Sequence, residues 1–526
     1  MSRRSDFDSA YQALCRPAVT ADALSRRRFL QAAAATAGAM AVPPMLGDLA
    51  QAGAFGANDR ILVLIMMGGG NDTLNTVVPT NKPAYHDLRG SLAIPGNQTL
   101  PIGGGFGLHP SLSYLKQRWN QGDVAIVHGV GNLADDHSHF SSLAQWMTGS
   151  SQPGTLSGWA GRYLDGVPGA LSGISVGDQG VPLHLIGDNS MAVGLPRRGD
   201  LFGADQTNLY ETLVFDAIQD YAVGGSGNGA LGDLIADVFA ESIDTAQVVE
   251  PIYTPTIQQD GLVADLKLAA RLINLNLGAR VVNVGYSGFD THDDQAGDHA
   301  DRLAELDLGL QTFFNDLSPA QRSRTTVMTF SEFGRRAEAN DSNGTDHGSA
   351  GSLFFIGGEV SGGFFGEHPS LTNLTERGDL ATSVDFRSVY ATVLEQWLQA
   401  DSNQILGGNY ETLDIFGPRG SGGVQIDPGT HEQQVVWQNG QWVVVSSSSV
   451  EPDAVTSLPP DPGAPPRLGS ETPPRRPLDA PITAPTATSE LDAYRKGLIS
   501  SDSRLRRPDG AGRDQLRRLL RPRQPA

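Results

Sequence analysis

The stretch Ala279–Gln295, "ARVVNVGYSGFDTHDDQ", joins a solid apolar run to a loop that holds one histidine among three aspartates. A continuous apolar run of this length is typical of a strand that is buried on both faces of a sheet. The loop that follows has two interpretations. It is either a polar turn that caps the next helix, or a metal-binding loop in which Asp290 and His292 point to one side of an extended segment.

Other apolar runs of the same kind occur along the chain, and helical patterns separate them. In "HADRLAELDLGLQTFFNDL" the apolar residues Leu303, Leu306, Leu310 and Phe314 fall on one helix face. Alternating strands and helices predict an α/β fold, with a mostly parallel sheet and helices on both faces. The remaining predicted strands are "RILVLIMM" (60–67), "DVAIVHGV" (123–130), "GVPLHLIG" (180–187), "RTTVMTFS" (324–331) and "GSLFFIGG" (351–358).

Polar loops adjoin five of these runs. Ligands of open α/β sheets bind beyond the carboxyl ends of the strands, so we expect the five loops to meet at one edge of the sheet. Together they supply Asp, Glu, His and Ser side chains. The loops are "GGGNDTLN", "NLADDHSHFSS", "GFDTHDDQ", "SEFGRR" and, before its strand, "NGTDHGSAG".

These loops predict a site for a divalent metal. Oxygen and nitrogen ligands without sulfur suit zinc, manganese, magnesium or calcium. Taken singly, each residue also has an ordinary structural interpretation as a turn residue, a helix cap or an ion-pair partner, and only their convergence favours the metal site. The predicted ligands are Asp72, Asp290, His292, Glu332, Asp346 and His347, with His347 preferred over its neighbour Asp346.

Four further residues are candidates for a role in catalysis or ligand binding. Ser138 precedes a predicted helix, where the helix dipole favours an anion, and a hydroxyl there is a candidate nucleophile or simply an N-cap. His137 and His139 flank it as candidate ligands, bases or capping partners. Arg335 is placed to grip an anionic substrate or to balance acidic neighbours.

Residues 1–52 are predicted to form a twin-arginine signal peptide. "SRRRFLQ", Ser25–Gln31, precedes a weakly apolar stretch, and Ala50-Gln51-Ala52 fits a cleavage site. We therefore predict recognition by the twin-arginine export machinery and a location in the periplasm or outside the cell. The chain's one cysteine, Cys15, lies in the predicted signal, so the mature protein would have no thiol.

The rest of the chain divides into an acidic body and a tail. Residues 53–445 hold 44 acidic and 19 basic residues, a balance that disfavours nucleic acid and favours cations. Residues 446–526 are rich in proline and serine, end in a basic stretch, and are predicted to be disordered. No apolar stretch reaches transmembrane length. The oligomeric state is left open.

The motifs resemble a family of exported bacterial proteins, the domain-of-unknown-function 1501 family, and the similarity extends from Leu64 to about Leu398. Motifs that carry it are "LIMMGGGNDTLNTVVP", "SHFSSLAQWMTG", "GFDTHDDQ", "TFSEFGRR" and "GTDHGSAGSLFFIGGEVSGG". The family looks like a distant branch of the alkaline phosphatase and sulfatase superfamily. That resemblance implies an alkaline phosphatase-like domain over 53–445, with Asp and His metal ligands at strand ends and a nucleophile at a helix start.

One departure from the superfamily pattern concerns the first strand. The superfamily places an aspartate directly after that strand, whereas this chain has Gly68 there and Asp72 four residues later. Two full metal sites are therefore not expected, and the chain should hold either one site or a degenerate one.

The predicted function is that of an exported, metal-dependent hydrolase-like protein whose substrate is a small anionic ester, a phosphate or a sulfate. The alternative is a non-catalytic envelope protein that keeps the fold with a structural or degenerate metal site.

Overall fold

The computed structural model describes residues 6–16 and 60–417, apart from 153, 170, 178–179, 191, 198–208 and 226–228, and the short strands at 425–426, 433–438 and 441–446. The twin-arginine motif, the predicted cleavage site and the predicted tail beyond Ser446 lie outside the described residues.

A nine-stranded sheet forms the centre of the domain, in the order β15-β6-β14-β11-β2-β10-β7-β9, with β16 pairing with β6. Only β14 runs against its neighbours in this sheet. The prediction of a mostly parallel sheet is therefore confirmed. The sheet strands are β2 (Ile61–Gly68), β6 (Val124–Gly131), β7 (Gly173–Val176), β9 (Val193–Leu195), β10 (Val281–Ser287), β11 (Thr325–Phe330), β14 (Gly351–Gly357), β15 (Gly363–Phe365) and β16 (Val384–Asp385).

Shorter strands form four small sheets around it. Two of these small sheets bear on the site: β1 pairs with β8, and β12 pairs with β13, both antiparallel. The shorter strands are β1 (Cys15–Arg16), β3 (Val77–Pro79), β4 (Leu100–Gly103), β5 (Phe106–Leu108), β8 (Val181–Pro182), β12 (Gly334–Arg335), β13 (His347–Gly348), β17 (Gln425–Ile426), β18 (Gln433–Gln438) and β19 (Gln441–Ser446).

Thirteen α-helices occur in the described part of the chain. They are α1 (Asp6–Leu14), α2 (Thr73–Thr76), α3 (Pro83–Arg89), α4 (Ser113–Asn120), α5 (His139–Thr148), α6 (Trp159–Leu164), α7 (Leu209–Gly224), α8 (Ala230–Val249), α9 (Gly261–Leu275), α10 (Gln295–Asp316), α11 (Pro319–Ser323), α12 (Phe386–Thr392) and α13 (Ser402–Leu406). A π-helical turn, Val393–Trp397, continues α12, and 3₁₀ turns occupy Gly90–Leu92, Gly96–Gln98, Leu183–Leu185 and Glu250–Tyr253. No helix in the described residues is long and apolar enough to cross a lipid bilayer.

The alternation of side chains along β2 shows why helices cover both faces of the sheet. Ile61, Val63 and Ile65 enter one core with residues of α9 and α10. Leu62 and Leu64 enter a second core with residues of α1, α5 and α12. Because successive side chains of a strand point to opposite faces, a strand that is apolar at every position must be covered on both sides.

Two predicted runs differ in detail from the observed strands. "GVPLHLIG" forms only the two-residue β8 before it turns into the 3₁₀ helix Leu183–Leu185, so the prediction of a long strand there is wrong. "GSLFFIGG" forms β14, but antiparallel to β11. That direction places the start of β14, and the loop that precedes it, at the edge where the parallel strands end. The five polar loops therefore belong to one edge of the sheet.

The residues before the twin-arginine motif form ordered structure in the full chain. Helix α1 buries Phe7, Ala10 and Tyr11, and its continuation β1 pairs with β8. These residues belong to the predicted signal peptide. Cleavage remains a prediction, while packing of this segment on the body is a feature of the full chain.

Candidate metal centre

Four side chains meet at the edge where β2, β10 and β11 end. Asp290 and His292 come from the loop between β10 and α10, His139 is the first residue of α5, and His347 lies in β13. A glycine between β2 and its loop allows the loops to approach this closely. At Gly69, with φ of +112°, a Cβ atom would lie 2.4 Å from the backbone nitrogen of Asp290, so only glycine fits.

Asp290 lies at the middle of the group. Its Oδ1 is 3.0 Å from His292 Nε2 and 3.1 Å from His347 Nε2. The two Nε2 atoms are 3.0 Å from each other, which completes a nearly equilateral triangle of possible ligand atoms. Tetrahedral zinc ligands at about 2.0–2.1 Å from the ion are about 3.3 Å apart. The spacing of the triangle thus fits a small divalent cation.

His139 closes the group from the buried side. Its Nε2 is 3.5 Å from Asp290 Oδ2. This nitrogen is buried and has no hydrogen-bond partner among the described residues. Ligand atoms of His139, Asp290 and His347 all lie within 4.8 Å of one another. An unpaired buried nitrogen that faces a carboxylate calls for an occupant such as a proton or a metal ion.

All three histidines have an acceptor at Nδ1. Such an acceptor takes the N–H and leaves Nε2 with its lone pair, which is the form that binds a metal. Two lone pairs 3.0 Å apart repel each other unless a cation lies between them, so this donor set fits a divalent metal. The acceptors are Glu332 Oε1 for His139 at 2.7 Å, Asp346 Oδ1 for His292 at 3.2 Å, and the backbone oxygen of His137 for His347 at 2.9 Å.

The electrostatics of the group favour a carboxylate in its charged form. Burial alone would raise the pKa of Asp290, but its contacts with His139, His292 and His347 and the charge of Arg335 hold it well below its usual range. Burial likewise opposes the charged form of His139, yet its contacts with Asp290 and Glu332 raise its pKa to about 9. The surroundings of His139 and Asp290 therefore favour a positive charge between them.

Glu332 and Asp346 were predicted as ligands, and the structure places both behind the histidines instead. Glu332 is buried, bonds His139 Nδ1 and accepts the backbone N–H of Gly69 at 3.0 Å. Asp346 bonds His292 Nδ1 and also accepts from the side-chain nitrogen of Asn340 at 3.1 Å. Carboxylates in this position orient a ligating imidazole and raise its basicity.

Arg335 is buried with 1% of its surface exposed. Its guanidinium donates to Asp290 Oδ1 at 2.6 Å, to the backbone oxygen of Gly70 at 2.8 Å and to that of Thr345 at 2.6 Å. It also donates to the backbone oxygens of Gly69 and Phe289. With its donors committed to three loops, Arg335 holds Asp290 in place and does not face an incoming anion.

Asp72 lies outside the group, and the hydroxyl of Ser138 makes no hydrogen bond with it. Both oxygens of Asp72 are taken by Arg89, at 2.6 and 2.7 Å, and one also accepts from Gln295 at 2.5 Å. This fully buried ion pair explains Asp72 without a metal. Ser138 occupies the N-cap position of α5, as its ordinary structural interpretation predicts, but its hydroxyl makes no hydrogen bond within the described part of the chain.

His137 and Asn340 are two contributors whose role the sequence did not predict. The backbone oxygen of His137 orients His347, and His137 is held in a left-handed conformation (φ +63°) with its Nε2 2.9 Å from Asp379 Oδ2. Asn340 bridges Asp346 and the backbone oxygen of His292. The run "NDSNG" before Thr345 is typical of a polar turn. It predicts a loop there, but it does not predict which residues Asn340 bonds.

Residues 247–408 match the family described as "Protein of unknown function (DUF1501)". This match confirms the resemblance to the DUF1501 family that the motifs predicted. The matched segment contains Asp290, His292, Glu332 and His347, while His139 lies outside it. No curated protein matches the chain in sequence.

The chain is also similar, at low identity, to several solved structures. One is a protein in the alkaline phosphatase superfamily from Vibrio parahaemolyticus, with 9% identity, 75% of this chain and 81% of that chain covered, and a TM-score of 0.30. Another is the PsFucS1 sulfatase from Pseudoalteromonas sp., with 11% identity, 77% and 85% covered, and a TM-score of 0.30. A third is the lipoteichoic acid synthase LtaP from Listeria monocytogenes, with 8% identity, 76% and 86% covered, and a TM-score of 0.27. At these values the similarities assign no activity to this chain.

Proposed function

We propose that this chain is an exported, metal-dependent hydrolase-like protein that acts on phosphate or sulfate esters. The observation that supports the proposal most strongly is the convergence of three imidazole Nε2 atoms on Asp290, each imidazole having its Nδ1 bonded to an acceptor. His139, Asp290, His292 and His347 would hold the cation. A divalent cation bound there would supply Lewis-acid polarisation of an ester oxygen.

The site has a buried side and an open side. His139 and Glu332 are almost fully buried, whereas 42% of the His292 side chain and 49% of the Asp346 side chain are exposed. An ester would therefore approach over His292. An anionic substrate suits this direction because a cation bound at the site would attract it, whereas the acidic body repels anions elsewhere.

Water, and not Ser138, is the attacking group in this proposal. A serine nucleophile is activated by a base within hydrogen-bond reach or by coordination to a metal. The hydroxyl of Ser138 has no hydrogen-bond partner among the described residues, and Ser138 is not one of the four side chains proposed to hold the cation, whereas water has access from the exposed side of His292.

Two features of the site favour the alternative function. Ser138 has no base, and Arg335, the candidate anion clamp, is buried behind Asp290. A site with four protein ligands and no clamp is also what a structural metal requires. A non-catalytic envelope protein with a structural metal is therefore the second candidate.

Metal loading followed by a substrate panel separates the two functions. The purified full chain is stripped with a chelator and reloaded separately with zinc, manganese, magnesium and calcium. We expect about one tightly bound ion per chain, and hydrolysis of an aryl phosphate or aryl sulfate only by the loaded protein. One bound ion without hydrolysis of either ester would favour the structural role, and no binding of any of the four ions would contradict both.

Export by the twin-arginine route is part of the proposal and rests on Ser25–Gln31. The Arg26→Lys/Arg27→Lys double variant should remain in the cytoplasm as a folded precursor. Unchanged export in a strain that lacks the twin-arginine machinery would contradict the route.

A further inference from the structure

The N-terminal segment Asp6–Arg16 is packed against the wall of the metal centre. Helix α1 of this segment lies on α5, whose first residue is His139. Phe7 and Tyr11 are each 2% exposed, and Ala10 is fully buried in the core that α5 shares with β2. The segment is thus held by burial of one face of its helix and by strand pairing at its end.

Phe7 makes the contact that matters for the site. Its ring packs in an edge-to-face arrangement on the His139 ring, with centroids 5.9 Å apart. The same ring lies over Gly68, the last residue of β2, so closely that a Cβ atom there would be 1.8 Å from Phe7 Cζ. Glycine at position 68 therefore makes room for a residue that is 61 positions earlier in the chain.

This packing conflicts with the predicted fate of the segment. Asp6–Arg16 precedes the twin-arginine motif and would leave with the signal peptide. A buried phenylalanine, alanine and tyrosine would then be withdrawn from the body, and the apolar surface around Gly68 and His139 would be uncovered. Proteins exported by this route fold before export, so the precursor has time to form the contact.

We propose that the surface formed by Gly68, His139 and the β8 edge is a docking site for the chain's own N-terminal segment, which closes the buried side of the metal centre in the precursor. The docked Phe7 holds the His139 ring in place at the ion and so slows release of the ion until the segment leaves, while the side at His292 stays open. The part of this inference that concerns the ion rests on the proposed metal site, whereas docking of the segment does not.

Cys15 provides a probe of docking in the full chain. It is the one cysteine of the chain and lies, partly buried, in β1. Burial raises the pKa of its thiol to about 12, so a docked segment protects it from alkylation. A maleimide should therefore react slowly with the native chain and rapidly with any variant in which the segment has undocked.

The variants follow from the contact at Gly68. Gly68→Ala should expel Phe7 and speed labelling of Cys15 on the order of ten-fold. In the native chain the thiol reacts only when the segment opens transiently, whereas in the variant the segment is already undocked. Phe7→Ala should also speed labelling, and the Phe7→Ala/Gly68→Ala double variant should react no faster than Phe7→Ala alone. Gly297→Ala is the matched control, since no atom outside its own helix backbone lies within 4 Å of the added carbon.

Zinc release to a chelator is the second measurement on the same proteins. Release should be faster from Phe7→Ala and Gly68→Ala than from the native chain and Gly297→Ala. Native Cys15 that reacts as fast as in urea would overturn docking, and equal zinc release from native and Phe7→Ala would overturn closure. Protected Cys15 in a chain that binds no zinc would contradict the metal site and leave docking supported. The melting temperature of Phe7→Ala serves as the check that the body stays folded.

Discussion

Asp72→Ala is expected to lower the free energy of unfolding by about 3–5 kcal/mol, because it leaves a buried charge without its partner. Arg89 and Asp72 are joined by two hydrogen bonds, and neither side chain has any exposed surface. Burial would raise the pKa of Asp72, but the charge of Arg89 and its hydrogen bonds hold that pKa below the usual value. The measurement is urea unfolding of the native chain and the variant.

The control removes both charges together. Asp72→Met combined with Arg89→Met replaces the ion pair with apolar side chains, and such replacements recover most of the lost stability. Zinc binding by both folded variants should equal that of the native chain. If Asp72→Ala instead abolished zinc binding at a stability cost under about 1 kcal/mol, Asp72 would be a ligand, as the sequence alone predicted.

The fold was predictable because the central strands are predominantly apolar on both faces. β2, β6, β10, β11 and β14 were all found from such runs, and burial on both faces follows from that pattern. The reversal of β14 was not predictable, since an apolar run has the same composition in either direction. "GVPLHLIG" failed for a related reason, because apolar composition alone does not distinguish a strand from a short 3₁₀ turn.

The candidate site was predictable as a set of loops but not as a set of contacts. Asp290, His292 and His347 come together because they lie at one edge of the sheet. Asp72 lies at the same edge, yet its side chain turns to Arg89, which is 17 residues away on α3. Sequence position at a strand end gives the edge, whereas the direction of the side chain depends on tertiary partners that no local pattern reveals.

The N-terminal segment shows a different limit of sequence reasoning. "DFDSAYQAL" has the apolar spacing of an amphipathic helix, but its position before a twin-arginine motif argued for setting it aside. Packing of Phe7 on Gly68 depends on a glycine whose role cannot be recognised without the partner. A targeting segment is recognised from its basic and apolar sequence pattern. That pattern carries no information about contacts that the segment makes with the folded body before cleavage.

His292→Ala is expected to weaken zinc binding at least about 100-fold, which is the upper end of the effect of removing only an orienting partner. His292 Nε2 lies 3.0 Å from both Asp290 Oδ1 and His347 Nε2, so the substitution opens one corner of the ligand triangle. Stability of the metal-free protein should change by less than about 1 kcal/mol, because 42% of the His292 side chain is exposed and its truncation leaves no closed cavity in the core. Zinc affinity is measured on chelator-stripped and reloaded protein.

Two variants in the neighbouring loops calibrate that result. Asp293→Ala changes an exposed carboxylate beside His292 and should leave zinc affinity unchanged. Asp346→Ala removes the acceptor at His292 Nδ1 and should weaken zinc binding by about 10- to 100-fold, less than loss of the imidazole itself. The loss of zinc affinity should therefore decrease in the order His292→Ala, Asp346→Ala, Asp293→Ala, because these residues are a ligand, its orienting partner and a residue without a role in the site. Equal zinc affinity in the native chain and His292→Ala would instead make "GFDTHDDQ" a polar turn that begins α10, because an imidazole that binds the ion cannot be removed without loss of affinity.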